Sequence, residues 1–442
     1  MVFLQTYEDL CHRAGQTTNS VIKNLTSQIQ HERVFLLKDA HRINSDEEWS
    51  HILSALKSDT SLEKISIINS RYKLDPSKGV KVLPLIAVSK PVTVQVLKTL
   101  SCLLRTNPRL NSIELSGLNQ LSHKALNELL PEVENSQVLK SLIINRCPIE
   151  DQGAINICKT LQNVPNGLGA NCVNHPLEYL NLSRCSIGDA GLTAISSLIA
   201  LQKTRRENLL YNTLWKFSLR DKGGSSSNQK VGASASKSST KTTKQQKSRL
   251  LVPNKLSGLI RVSLTANIAI TDDSVIGLVK VLQEDVFLHA IDLQSLPKLT
   301  KRSGEVIFEL LNSNLEISEK NAHTTNPNGG PLRSSKSTSS IYAKNSNLNL
   351  EQLANSAISV FDVRGCDNID RDLIRKITTA CVRNSELFLP LSNQVNFAQD
   401  SLDKIITESV RYNDEISNSP TISYQWQDAS EIGLDAEYRV RG

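Results

Sequence analysis

LKSLIINRCPIEDQGAINI, residues 139–157, and LEYLNLSRCSIGDAGLTAI, residues 177–195, align without a gap. Leu139, Leu142, Ile144, Cys147, Ile149 and Gly153 fall on Leu177, Leu180, Leu182, Cys185, Ile187 and Gly191. Up to the cysteine the apolar residues alternate, the pattern of a strand with one buried face. Leu142 and Ile144 are then expected to point into a layer, and Ser141, Ile143 and Asn145 away from it. Beyond the cysteine the spacing turns helical. A strand–helix unit of this size cannot bury its own apolar face, whereas stacked copies share one core.

Weaker copies surround the pair. Leu62, Ile65, Ile67 and Ser70 form one, and Leu110, Ile113, Leu115 and Leu118 another. Leu259, Val262, Leu264 and Asn267 follow, then Leu288, Ile291, Leu293 and Leu296, and finally Ile358, Phe361, Val363 and Cys366. From Leu110 to Leu139, and again from Leu259 to Leu288, the step is 29 residues. That frame and period are those of a leucine-rich repeat with a full helix in each unit. The expected fold is an α/β leucine-rich-repeat solenoid, ribonuclease-inhibitor-like, with a curved parallel sheet inside and helices outside. About seven strand units are expected between residues 62 and 380. Cys147, Cys185 and Cys366 sit where the chain leaves a strand, and a structural role explains them. Ser122 reads as the cap of a helix reaching Leu130, and Thr271-Asp-Asp-Ser as another helix start.

The expected organisation has an N-terminal helical cap over residues 1–57, with a degenerate strand-plus-helix from Val34 to Lys57. Repeats with a helical extension occupy 58–220, and a disordered Lys/Ser-rich insert 221–249. Repeats resume over 250–385, with a flexible insert at 318–348. A C-terminal cap and polar tail take 386–442.

Hydrophobic residues are 39% of the chain and charged residues 21%, enough apolar material for a core. The net charge of +7 is local. Lys222, Lys230, Lys237, Lys241, Lys244, Lys247 and Arg249 supply it, and a solvated tract is expected there rather than a nucleic-acid patch. The first residues lack the pattern of a secretory signal, and no apolar run has the length of a membrane span. The eight cysteines include no CxxC pair, so they are expected reduced, in an intracellular protein. The histidines have no ligand spacing, and no phosphate-cradling or nucleophile-elbow glycine motif occurs. No enzyme, cofactor or metal is expected.

What remains is surface. The outward strand positions form one column of Glu114, Ile143, Asn181, Ser263, Asp292 and Asp362. A second holds Ser116, Asn145, Ser183, Thr265, Gln294 and Arg364. This mixed polar concave face suits protein recognition better than a phosphate backbone. Arg205, Arg206, Trp215 and Arg220 of the helical extension are further candidate contacts. A leucine-rich-repeat regulator of a small GTPase, and a nucleic-acid binder using the basic tract, stay open as other classes.

Several stretches together resemble the N-terminal half of the 78-kDa centrosomal protein family. They are YEDLC at Tyr7–Cys11, EEWSHILSALKSDTSLEKISI around Trp49, and the repeat pair ending in CPIEDQG and CSIGDAG. LQKTRRENLLYNTLWKFSLR, GLIRVSLTANIAITD, LHAIDLQSL, FDVRGCDNID and Tyr424-Gln425-Trp426 follow in the family's order. The resemblance implies a non-catalytic scaffold of the centrosome, centriole and cilium basal body that regulates centriole and cilium biogenesis. It also implies centrosomal or ciliary protein partners, extending to ubiquitin-ligase control.

Overall fold

The computed structural model describes residues 2–25, 29, 32–38, 40–43, 45–69, 72–75, 79–82, 88–165, 174–222, 257–283, 285, 287–324 and 358–395. Eight parallel strands form its main sheet: β1 (Val34–Leu37), β2 (Lys64–Ile68), β5 (Ser112–Ser116), β6 (Ser141–Asn145), β7 (Tyr179–Asn181), β8 (Arg261–Ser263), β9 (Ala290–Asp292) and β10 (Val360–Asp362). They lie side by side in that order. A separate antiparallel pair, β3 (Tyr72–Asp75) and β4 (Gly79–Val82), interrupts the chain between β2 and β5 and has no counterpart in the repeat frame.

The helices are α1 (Val2–Arg13), α2 (Ser20–Lys23), α3 (Asp46–Ser58), α4 (Lys90–Thr106), α5 (His123–Leu126) and α6 (Leu130–Asn135). α7 (Glu150–Gln162), α8 (Asp189–Lys222), α9 (Asp272–Leu282), α10 (Lys301–Thr324) and α11 (Arg371–Val395) complete them. From β5 onward each strand is followed by its own helix or helices, as in a leucine-rich-repeat solenoid.

Alternation decides which side of each strand is buried. Ile65, Ile113, Leu142, Leu180, Val262, Ile291 and Phe361 share one register row and are all buried. Each such aliphatic side chain contributes roughly 1.5–3 kcal/mol by leaving water. The leading positions of the frame, from Leu62 to Ile358, are buried as well. β1 joins the sheet beside β2, so the N-terminal segment supplies an eighth strand, and Phe3 and Tyr7 of α1 pack beneath it against Phe35 and α3.

Three features recur from repeat to repeat. The first is the buried frame residue after each strand. Cys185 donates its thiol to the carbonyl of Ile144 at 3.1 Å, and Cys366 to that of Leu293 at 3.3 Å. Asn267 Nδ2 donates to the carbonyls of Leu182 and Leu264, both at 2.9 Å. Its Oδ1 accepts the backbone N–H of Cys185 and Ile187.

The second is a left-handed residue just before that position. Gly117, Arg146, Arg184, Ala266, Ser295 and Gly365 all have φ between 55° and 71°. Only two are glycine, and a side chain there costs about 1 kcal/mol. The N–H of five of them reaches the neighbouring repeat: Gly117 to Asn145 O, Arg146 to Ser183 O, Arg184 to Thr265 O, Ala266 to Gln294 O and Ser295 to Arg364 O, at 2.8–3.0 Å. Those bonds offset the strain.

The third is a carboxylate early in or just before one helix that caps the next. Asp151 Oδ1 accepts the N–H of Gly188 at 2.6 Å and of Gly191 at 2.9 Å. Asp189 binds Thr271 and Ser274, and Asp272 binds Thr300 and Ser303. A Cβ on Gly191 would sit 2.5 Å from Ile187 Cγ2, so close packing requires glycine at that turn.

Local expectations are corrected at three places and met at a fourth. The helix expected from Ser122 to Leu130 is two short ones, α5 and α6; Ser122 caps the first, and Pro131 stands in the first turn of the second. Thr271-Asp-Asp-Ser does open a helix, α9, with Asp272 and Asp273 in its first turn; the Thr271 hydroxyl is donated to Asp189 Oδ2 at 2.9 Å. α10 runs to Thr324, past residue 318 where a loop was expected, and α11 runs to Val395, past residue 385. The Lys/Ser-rich stretch after Lys222, residues 325–357 and residues 396–442 lie outside the described residues.

Candidate protein-binding face

The solvent side of the sheet is built by register. Lys64, Ser112, Ser141, Tyr179, Arg261, Ala290 and Val360 form a first row across the strands. Ser66, Glu114, Ile143, Asn181, Ser263, Asp292 and Asp362 form a second. The six residues expected in one column thus do stand in line, with Ser66 beyond them. Ser116 and Asn145 are also register partners, and the row continues to Ser183, Thr265, Gln294 and Arg364 through the backbone ladder.

This face is cross-linked within itself. Ser66 Oγ donates to Glu114 Oε2 at 2.5 Å, and Lys64 Nζ stands 3.4 Å from the same oxygen. Asn181 Nδ2 donates to the hydroxyl of Tyr179 at 2.9 Å, while its Oδ1 accepts the N–H of Ser183. Ser183 and Ser263 share a hydroxyl bond at 3.0 Å. Arg261 lies over the Tyr179 ring, 5.2 Å from its centroid, and donates Nε and Nη2 to Asp292 Oδ2. Burial pushes the Asp292 carboxyl up and Arg261 pulls it down; the net is upward. Asp362 holds Arg364 and accepts Gln294 Nε2 at 2.7 Å.

Ser116, Ser183, Ser263 and Asp292 of the expected columns are buried, as are Ser66 and Ala290 in the rows beside them. Ile143 is half-buried at the middle of the sheet, an apolar side chain among polar neighbours. Beside it Asn145 Oδ1 is buried with no hydrogen-bond partner among the described residues. Thr265, Gln294 and Arg364 are half-buried.

The helical extension divides. Arg205 donates Nη1 to the carbonyl of Gln162 at 2.6 Å and keeps part of its side chain in solvent. Arg206 was expected on the surface and is instead buried. Its Nε donates to Ser257 O at 2.9 Å, its Nη2 to Leu259 O at 3.2 Å, and its guanidinium lies 4.8 Å from the centroid of Phe287. Burial lowers its pKa to about 10, with Asp285 opposing. Around it Asn174 Nδ2 donates to Gln202 O and Ser257 O, and Gln202 Oε1 accepts Leu259 N. Gly258, at φ +123°, leaves no room for a Cβ, which would lie 2.3 Å from Arg206 Nη2. Arg206 therefore ties the returning chain to α8, and is no partner contact. Trp215 and Arg220 belong to α8, and their side chains lie outside the described residues.

Sequence reasoning named neither Tyr179 nor Arg261. The signal was available, since both occupy the first outward position of their strands.

The cysteines of the frame are deeply buried. Burial pushes the thiols of Cys147 and Cys366 up to about 12 and raises that of Cys185 also, so they stay protonated at neutral pH. Among the described residues no cluster of His, Cys, Asp or Glu could hold a metal ion, and no helix is long and apolar enough to cross a membrane.

The family model described as "Leucine Rich repeat" matches residues 135–158 and 173–196, the two repeats that are clearest in the sequence. The chain is 24% identical over 282 residues to the "Centrosomal protein of 78 kDa" of Mus musculus, covering 60% of this chain and 30% of that protein. To the Homo sapiens protein of the same name it is 24% identical over 277 residues, covering 61% and 34%. It thus spans about a third of the length of the relatives it matches. By its fold the chain is a leucine-rich-repeat solenoid, and by its sequence it is similar to the Centrosomal protein of 78 kDa.

Proposed function

We propose that this chain is a non-catalytic, protein-binding scaffold of the centrosome and centriole, and that the solvent face of its sheet is the binding surface. The observation that carries the reading is the rows of outward side chains from Lys64 to Arg364, held in register by a sheet whose other face is wholly packed. Tyr179 and Arg261, residue types that dominate protein interfaces, lie on neighbouring central strands. Ile143 adds an apolar contact, and the unsatisfied Asn145 Oδ1 an acceptor for a partner's donor. A rigid face loses little entropy on binding.

Similarity to the Centrosomal protein of 78 kDa supports the centrosomal setting. The finer proposal is that partners are centrosomal or ciliary components, among them a ubiquitin-ligase complex, and that binding regulates centriole and cilium biogenesis. Ser183, Ser263 and Asp292, being buried, organise this face, while Glu114, Ile143, Asn145, Asn181, Thr265, Gln294, Asp362 and Arg364 form its contacts.

Fluorescence localisation of the tagged 442-residue chain in ciliated cells, beside a centriole marker, tests the setting. Focal signal at centrioles that is lost on Ile143→Arg is the expected result. A diffuse signal for the unsubstituted chain would overturn the centrosomal assignment and leave the fold untouched.

A further inference from the structure

The ion pairs on the sheet face share an arrangement that row position alone does not require. In Lys64–Glu114 the side chains are 38% and 20% exposed, in Arg261–Asp292 27% and 7%, and in Arg364–Asp362 22% and 11%. Every carboxylate lies beneath its cation. Each is also held by a second group beside its cation: Glu114 by the hydroxyl of Ser66, Asp292 by the side chain of Ser263, and Asp362 by Gln294 and by the Arg364 backbone N–H. In each of these three pairs an approaching partner meets the ammonium or guanidinium group before the carboxylate paired with it.

The cations are also set in place before a partner arrives. Arg261 is fixed between the ring of Tyr179 and Asp292, and Arg364 is anchored to Asp362 through Nε and Nη2. Orienting a long side chain in the free protein removes part of the entropy cost of using it. Asp292 and Asp362, which hold the two arginines, are register partners on adjacent strands about 4.8 Å apart, so the guanidinium groups are brought to neighbouring points of the face.

We infer that this face recognises an acidic protein segment, whose carboxylates meet Arg261 and Arg364 and extend toward Lys64. The inference rests on the binding face proposed above and names the chemistry of its partner. A basic segment would have to displace these cations to reach Asp292 and Asp362. A nucleic-acid backbone needs a run of phosphate contacts, and the cations of these three pairs are separated and alternate with carboxylates.

The experiment is fluorescence anisotropy of a labelled oligoglutamate peptide with the full chain, beside an oligoglutamine control. A chain in which Lys230, Lys237, Lys241, Lys244, Lys247 and Arg249 are glutamine removes the competing basic tract. That chain is expected to keep binding oligoglutamate and to ignore oligoglutamine. The neutral pair Arg261→Gln/Asp292→Asn, which leaves net charge unchanged and strands no buried carboxylate, is expected to weaken binding about tenfold, the scale of one charged hydrogen bond. Lys64→Gln, at an exposed position safe for folding, is expected to weaken it less. Loss of all binding with the tract, or binding indifferent to both substitutions, overturns the inference. If crosslinks from a cellular partner map to this face while oligoglutamate ignores it, the acidic preference falls and the binding face stands.

Discussion

Asp189 and Ser274 are 85 residues apart in sequence, and the carboxylate Oδ1 of one accepts the hydroxyl of the other at 2.6 Å. The same aspartate accepts the N–H and hydroxyl of Thr271 at 2.8 and 2.9 Å. The Lys/Ser-rich stretch falls between these partners in sequence, yet α8 and α9 meet as adjacent repeats do elsewhere. Asp151 and Asp272 make the corresponding bonds on either side. A carboxylate at the start of one helix thus caps the next, and the series crosses the insertion unbroken.

Replacing Asp189 by Ala removes three bonds and leaves the start of α9 without its acceptor. Loss of a helix cap of this kind costs about 1–2 kcal/mol. Urea unfolding is expected to show that loss, with less hydrogen-exchange protection in α9 than in α3.

Acid should weaken the same caps. At Asp189 burial raises the carboxyl, but hydrogen bonds from Ser274 and Thr271, with Lys298, outweigh it and bring it below its ordinary value. At Asp272 burial is likewise overcome by Ser303, Thr300 and Arg302. Carboxyls lowered by folding contribute stability above the ordinary carboxylate range, and that contribution is lost as pH falls through the lowered values. The Asp189→Asn/Asp272→Asn chain is expected to be less stable at neutral pH and to lose less on further acidification. Thermal melts across the acid range check this.

A second acid effect comes from His175. Burial lowers its pKa to about 4, partly opposed by the bond from Nε2 to Val133 O at 2.7 Å. Nδ1 meanwhile accepts the N–H of Leu177, which fits the neutral ring. Between the ordinary histidine value and about 4 the unfolded chain takes a proton that the folded chain refuses, so stability falls with pH in that window. The full contribution is about 3 kcal/mol. His175→Asn is expected to flatten the pH profile there, and an unchanged profile would contradict the assignment.

Ala266 is left-handed at φ 56°, as are Arg146 and Arg184 at the same point of their repeats. Ala266→Gly relieves that strain and keeps the N–H bond to Gln294 O. Its thermal midpoint is expected to rise by a few degrees, the effect of somewhat under 1 kcal/mol after the extra freedom of the unfolded glycine is subtracted.

Arg206→Met strips the Leu259 carbonyl of its donor, leaves Ser257 O to Asn174 Nδ2 alone, and removes the larger of two cationic influences on the buried Asp285, Lys203 being the other. Losing buried, charged hydrogen bonds of this kind costs about 3 kcal/mol. Hydrogen exchange is expected to rise first at β8 and β9, where the chain returns, and less at β5 and β6. Uniform exchange across the sheet would contradict the tethering role of Arg206.

The strands were legible because their signal is local: Leu180 and Leu182 alternate with Tyr179, Asn181 and Ser183 whatever follows. The outward rows came with them, since register follows from the frame. Arg206 was not legible, because an arginine is ordinarily exposed, and its two carbonyl partners return only after a long insertion. Nor were the left-handed residues, since Arg146 and Arg184 carry no glycine to mark the turn. The β3–β4 pair left only a short trace in the sequence, the Asp75-Pro-Ser-Lys-Gly79 run, which falls outside the repeat frame. The length of α8 was legible as the extension to residue 220, while the ends of α10 and α11 were set too early, at the repeat boundary.

The central claim is that partners bind on the sheet face. A photoreactive amino acid placed at Ile143, in the middle of that face, and separately at Gln152, exposed on the outer helix α7, tests it most directly in living cells. The account predicts a discrete crosslinked protein from position 143 that Arg261→Gln/Asp292→Asn diminishes, and none from position 152. Crosslinking from position 152 alone would contradict it.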